Sequence, residues 1–175
     1  MPSATLKATG NQVYSSGTVG YSGAGNYTDL NDASDSTSMT LMGGDAFASY
    51  PLTDMPADLL AVTSVTITIR CMNLGSKGDH ASFQYAQILK SDGSTPITST
   101  VTGTSTSSAT TLVMNPSSLF ITDKASWDGA VLKIKQNSGT GSGTDYYLAN
   151  VVIDYTTSGG STSSQIMPLI FGGQL

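Results

Sequence analysis

Residues 62–73 read VTSVTITIRCMN, and their alternation decides the fold class. Val65, Ile67, Ile69 and Cys71 fall on one side of an extended chain, while Thr66, Thr68 and Arg70 fall on the other. That period of two belongs to a strand with one buried face. Residues 81–90 follow a Gly-Ser-Lys-Gly-Asp turn and alternate again, with Phe83, Tyr85 and Leu89 set against Ser82, Gln84 and Lys90. The two stretches are expected to pair as a hairpin.

Working outward, residues 130–136 place Ala130, Leu132 and Ile134 on one face and Lys133 and Lys135 on the other, a half-buried strand with a basic solvent side. Residues 145–156 carry apolar groups at consecutive positions, Tyr146, Tyr147, Leu148 and then Val151, Val152, Ile153, which predicts burial on both faces and a central place in a sheet. Shorter strands are expected at 3–8, 37–42, 46–52, 96–101 and 109–114. The Ser/Thr-rich run 98–111 reads as an edge hairpin. Only 56–60 and 124–128 invite a helical turn, each too short to form a layer.

Composition agrees with this reading. The 175 residues contain twelve acidic side chains, all Asp, and fifty Ser and Thr. Exposed helix faces are normally filled by Glu, Lys, Gln and Arg, whereas Thr, Val, Ile and Tyr suit a pleated surface and Ser, Asp, Asn and Gly suit turns. The expected fold is all-β: a jelly-roll-like antiparallel β-sandwich of about eight to nine strands with little helix. Residues 1–155 are expected to form a single β-sandwich domain, and residues 156–175 a Ser/Gly spacer with an apolar C-terminal arm.

A net charge of -5 with only seven scattered Lys and Arg argues against nucleic acid as a partner, because counterion release needs clustered cations. No apolar run is long enough for a membrane helix, and the first residues show no signal-peptide core, so the chain is expected to be made in the cytoplasm. Cys71 is alone and reads as a small buried hydrophobe.

Catalysis finds few candidates. His80 is the one histidine and sits at a turn, one Cys and one His cannot fill a zinc site, and a glycosidase would need paired Asp residues. No catalytic residue, cofactor or metal is therefore assigned. Asp29, Asn31, Asp32 and Asp35 could hold calcium in one loop but lack EF-hand spacing, and turn formation is the preferred reading. Tyr14, Tyr21, Tyr27 and Tyr50 could form a sugar platform, although tyrosine serves strand faces and subunit contacts equally well. Trp127 reads as a core plug.

The order of features is more specific than any one of them. Tyr27 to Asp32 (YTDLND), Asp35 to Ser38, the FASYPL segment at 47–52, the strand through Arg70, the SDGST turn at 91–95, the ASWDG corner at 125–129 and a closing Val152, Ile153, Asp154, Tyr155 follow one another. From Gly17 to Tyr155 this resembles small β-sandwich structural proteins of tailed bacteriophage virions, such as capsid decoration, cement or minor head proteins. The resemblance implies a non-enzymatic virion component, a homo-oligomer with a trimer favoured, and the major capsid protein or other virion proteins as partners. A fibre, tail or appendage module binding host surface carbohydrate is the alternative. After the spacer, Ile166, Met167, Leu169, Ile170 and Phe171 form a strongly apolar close, expected to be a subunit interface carried to a neighbour, with one more strand of the same domain over Gln165 to Phe171 as the alternative.

Overall fold

The computed structural model describes residues 1–10, 13–15, 18–22, 27–31, 34–42, 46–74, 82–137 and 143–158. Ten strands among them form two antiparallel sheets. In the larger sheet, β3 (Thr18–Ser22), β4 (Ser38–Met42), β10 (Thr144–Thr157), β6 (Leu59–Asn73) and β8 (Thr110–Met114) lie side by side, and β1 (Ser3–Lys7) pairs with the C-terminal half of β10. The smaller sheet runs β2 (Val13–Ser15), β5 (Phe47–Pro51), β9 (Val131–Gln136) and β7 (Phe83–Leu89). The expected jelly-roll-like sandwich is the observed fold.

The two inner faces meet in one core. Ile67, Ile69, Val151 and Ile153 of the larger sheet and Tyr50, Ala86, Ile88 and Ile134 of the smaller one are fully buried. Truncating Ile67 to Ala would cost about 2–5 kcal/mol through lost transfer energy and the cavity left behind. At one end a short helix, α1 (Lys124–Trp127), is capped by Asp123, whose carboxylate accepts from the Ser126 amide at 2.9 Å. It sets Trp127 into the core with its indole N–H donating to the Ile121 carbonyl at 3.0 Å, as a core plug should. Cys71 is buried and free, and burial pushes its thiol pKa up to about 12.

The chain changes sheet after almost every strand. From β4 to β10 successive strands alternate between the larger and the smaller sheet, so β6 lies between β10 and β8 while β7 pairs with β9. The expected hairpin of residues 62–73 with 81–90 is therefore corrected: the two strands face each other across the core. An apolar stripe is buried equally well by an opposing sheet as by a partner in the same one. The edge hairpin expected at 98–111 is absent for the same reason. Pro96 and Val101 make isolated bridges to Leu89 and Ala86 of the smaller sheet, whereas β8 joins the larger one.

Four register shifts interrupt the ladders among the described residues, and two of them decide which way aromatic side chains point. In β10 the register shifts between Tyr146 and Leu148, so Tyr146 points into the core beside Cys71 and Leu148 lies outward beside Arg70. Consecutive apolar residues there reflect an inserted residue, where burial on both faces was expected. In β7 the register shifts between Phe83 and Tyr85, which keeps Phe83 inward and turns Tyr85 to the outside. Between β4 and β10 the backbones approach so closely that a Cβ at Gly143 would lie 1.9 Å from the Leu41 carbonyl oxygen. Among the described residues no helix is long and apolar enough to cross a membrane.

Candidate functional site

The outer face of the smaller sheet is set by register. Phe47, Lys135 and Tyr85 stand in one row across β5, β9 and β7; Ser49, Lys133 and Gln87 form the next; Pro51, Val131 and Leu89 form the third. Alternation on β5 sends Ala48 and Tyr50 into the core and turns Phe47, Ser49 and Pro51 to the other face, where Phe47 and Pro51 are half-buried and Ser49 is 5% exposed at the floor of the face. On β9 the same rule turns Lys133 and Lys135 outward, as the sequence predicts. Phe47, Tyr85 and both lysines are half-buried.

The rings and ammonium groups interlock. Lys133 Nζ lies 4.2 Å from the centroid of the Phe47 ring, and Lys135 Nζ lies 5.9 Å from that of Tyr85. Both fall within cation–π range, where the negative ring face attracts the ammonium. Each contact also holds a long side chain along the sheet, which lowers the entropy lost when it meets a ligand.

One end of this face is closed by the SDGST turn, leaving a recess of about 280 Å³ lined by Phe47, Ser49, Pro51, Val131, Ser91, Asp92 and Gly93. The turn follows β7. Gly93 takes φ +67°, a left-handed conformation that a side chain would strain, and its N–H donates to the Lys90 carbonyl at 2.9 Å. Asp92 stabilises the turn from within, its carboxylate accepting from the Thr95 hydroxyl at 2.5 Å and from the Thr95 and Ser94 amides at 2.7 Å. Those bonds, the Thr95 hydroxyl foremost, hold the Asp92 pKa well below the usual carboxylate range. The recess thus offers a ring, two small apolar side chains, Ser hydroxyls and one already satisfied carboxylate. That inventory suits a polar ligand with an apolar face.

Residues singled out from sequence are placed elsewhere. Tyr50 is 0 % exposed in the core and cannot serve a sugar platform, and Tyr27 is half-buried in a 3-10 turn at Tyr27–Leu30. The side chains of Tyr14 and Tyr21 lie outside the described residues, as do His80, Asp32 and the whole arm with Ile166, Met167, Leu169, Ile170 and Phe171. Asp29 is buried, Asn31 donates to the Ala8 carbonyl at 2.9 Å, and Asp35 pairs with Arg70 at 2.5 Å. Among the described residues no cluster of His, Cys or acidic side chains could hold a metal. Sequence reasoning missed Phe47 and Tyr85, although their neighbours Lys133 and Lys135 were already on a solvent face.

No protein-family model matches the sequence, and no curated protein matches it. Solved structures do share the sandwich. The xylan-binding domain CBM22-1 of Paenibacillus barcinonensis Xyn10C superposes with a TM-score of 0.50 at 10% identity, over 86% of this chain and 90% of that one. The C-terminal CBM6 of LamC from Zobellia galactanivorans gives 0.47 at 11% identity, over 87% and 100%. A family two carbohydrate esterase from Cellvibrio japonicus gives 0.38 at 13% identity, over 89% of this chain and 35% of that one. These likenesses concern the fold. The expectation of a capsid decoration protein is corrected on the first of them: the structure that superposes with a TM-score of 0.50 is a xylan-binding domain, not a phage particle protein.

Proposed function

We propose that this chain is a carbohydrate-binding β-sandwich that holds a glycan on the outer face of β5, β9 and β7. The observation that carries the reading is the recess beside Phe47. A pyranose presents an apolar C–H face and a rim of hydroxyls, and the recess offers Phe47, Pro51 and Val131 for the first and, at its exposed rim, the Ser91 hydroxyl for the second. That the same fold occurs in a domain that binds xylan supports the reading.

Binding without cleavage is part of the proposal. Glycoside hydrolysis by two carboxylates needs an acid with a raised pKa facing a second carboxylate, whereas among the described residues Asp92 is the one carboxylate lining the recess and is held strongly ionised within its turn. Affinity electrophoresis through gels containing soluble polysaccharides, followed by calorimetry, tests the proposal. Retardation by at least one glycan is expected, reduced about tenfold or more in affinity by Phe47→Ala with the melting temperature kept. Binding that survives Phe47→Ala would place the site elsewhere.

A further inference from the structure

We propose that the apolar segment Ile166 to Phe171 docks on the start of β6 in its own chain and covers Leu60 and Phe120. The described chain leads towards that place. At the end of β10 the Ser158 amide donates to the Asp58 carbonyl at 2.9 Å, and its hydroxyl donates to the same oxygen at 3.4 Å. Leu60 lies two residues beyond Asp58. Thr156 pairs with Ala61 and Thr157 with Leu59, so Leu60 is the residue inserted at a register shift and has no partner in β10. Its side chain is 57% exposed, while Leu59 and Val62 around it are buried. The segment carrying Phe120 runs alongside: the Val62 amide donates to the Thr122 carbonyl at 2.8 Å, Ala61 bridges to Asp123, and Phe120 is 58% exposed. Met1, whose sulfur accepts from the Thr63 hydroxyl at 3.6 Å, is exposed at the same end. Of the large hydrophobic side chains exposed among the described residues, only Met42 and Val113 lie elsewhere.

Chain length and chemistry choose the occupant. Between Ser158 and Ile166 stand Gly159 to Gln165, a Gly/Ser/Thr spacer that spans about 15 Å as a flexible coil and about 23 Å fully extended. Gly159 and Gly160 come first, and glycine is the residue that most readily permits a sharp reversal. No charged side chain occurs from Tyr155 to Leu175, so covering the patch with this segment desolvates no ionised group of the segment itself. Tethering decides between the chain's own segment and that of a second copy. A patch of three side chains falls far short of the roughly 1,000 Å² that a stable contact between separate molecules buries. A short spacer holds its segment at an effective concentration in the millimolar range, which suffices for a patch of this size. Docking also removes two apolar surfaces from water at once. The patch lies on the larger sheet, so its occupation is independent of glycan binding.

Photo-crosslinking on the full chain tests the proposal. A benzophenone amino acid placed at position 120, irradiated in a mixture of isotope-labelled and unlabelled protein, should crosslink to residues 166–171 of the same copy, with a yield independent of protein concentration. That yield should fall about fivefold or more in I166S/L169S/F171S, and amide hydrogen exchange over residues 59–63 should quicken by a similar factor in the same variant without the benzophenone. The variant should melt cooperatively, since its substitutions lie outside the sandwich core. Crosslinks that join labelled to unlabelled copies overturn the proposal in favour of a second chain on the patch. Crosslinks to other segments alone, or exchange at 59–63 that is unchanged in the folded variant, overturn it altogether.

Discussion

On the outer face of the larger sheet several polar side chains hydrogen-bond to one another; on the outer face of the smaller sheet rings and ammonium groups border a recess. Arg70 donates to both Asp35 oxygens and to Thr111, Thr66 donates to Asn115, Thr40 to Asp145, and Ser3 and Ser64 both donate to Asp154. Each of these groups already has a partner, so a ligand there would exchange one hydrogen bond for another and gain little. The smaller face carries its polarity at the edge of apolar surface, where excluding water gives a net gain. The same strand geometry therefore produces a wall of mutually paired groups on one side, with Asn150 Oδ1 left unpartnered among them, and the proposed docking surface on the other.

The largest effect should come from Gly143→Ala, which forces β4 away from β10 and should abolish cooperative folding or lower the melting temperature sharply; calorimetric melting checks it. An unchanged melt would mean that this approach does not hold the larger sheet. Next, Phe47→Ala should remove glycan retention while Arg70→Ala leaves it intact, since the pair acts on opposite faces. Loss of binding in Arg70→Ala would break the contrast between the faces.

Gly93→Val, a β-branched residue forced to φ +67° at the rim, should reduce affinity several-fold and lower stability by about 1–2 kcal/mol, read by calorimetry and urea titration. Acid should act later than usual on this end of the face. The folded-state pKa of Asp92 is depressed, so its contribution is fully present above the unfolded value near 4 and is lost only as pH falls through the lower folded value. Binding to an uncharged glycan, if found, should thus persist to about pH 4 in wild type and be weaker at all pH values in Asp92→Asn.

The smallest effect concerns the core between the faces. The Cys71 pKa is raised to about 12, so the unfolded thiol ionises first and native stability should decline as pH rises from about 8.5 towards 12. Cys71→Ala should flatten that decline, measured by urea titration at several alkaline pH values, and the native thiol should react slowly with a disulfide reagent at neutral pH.

Much of the sandwich was legible from residues alone. The alternation of Val65, Ile67, Ile69 and Cys71 identified β6 and its buried face, the Leu132 and Ile134 pattern identified β9 with its lysines outward, and Trp127 was recognised as a plug. The site was not legible in the same way. Tyr50 and Phe47 are both aromatics of one short strand, and only the strand's parity within the sandwich sends the first into the core and the second to solvent. Unbroken alternation from Phe83 predicts Tyr85 inward; the bulge that reverses it is a property of pairing with β9.

The sequence by itself determined the class of fold, the buried stripe of β6, and the solvent position of Lys133 and Lys135, because side-chain alternation is a local consequence of an extended backbone. Only the tertiary structure decided which strands are neighbours. Strand pairing joins residues far apart in the chain, and an apolar stripe does not specify whether its partner lies beside it or across the core. Bringing β5, β9 and β7 together is what turned an aromatic at 47, another at 85 and two lysines at 133 and 135 into one surface.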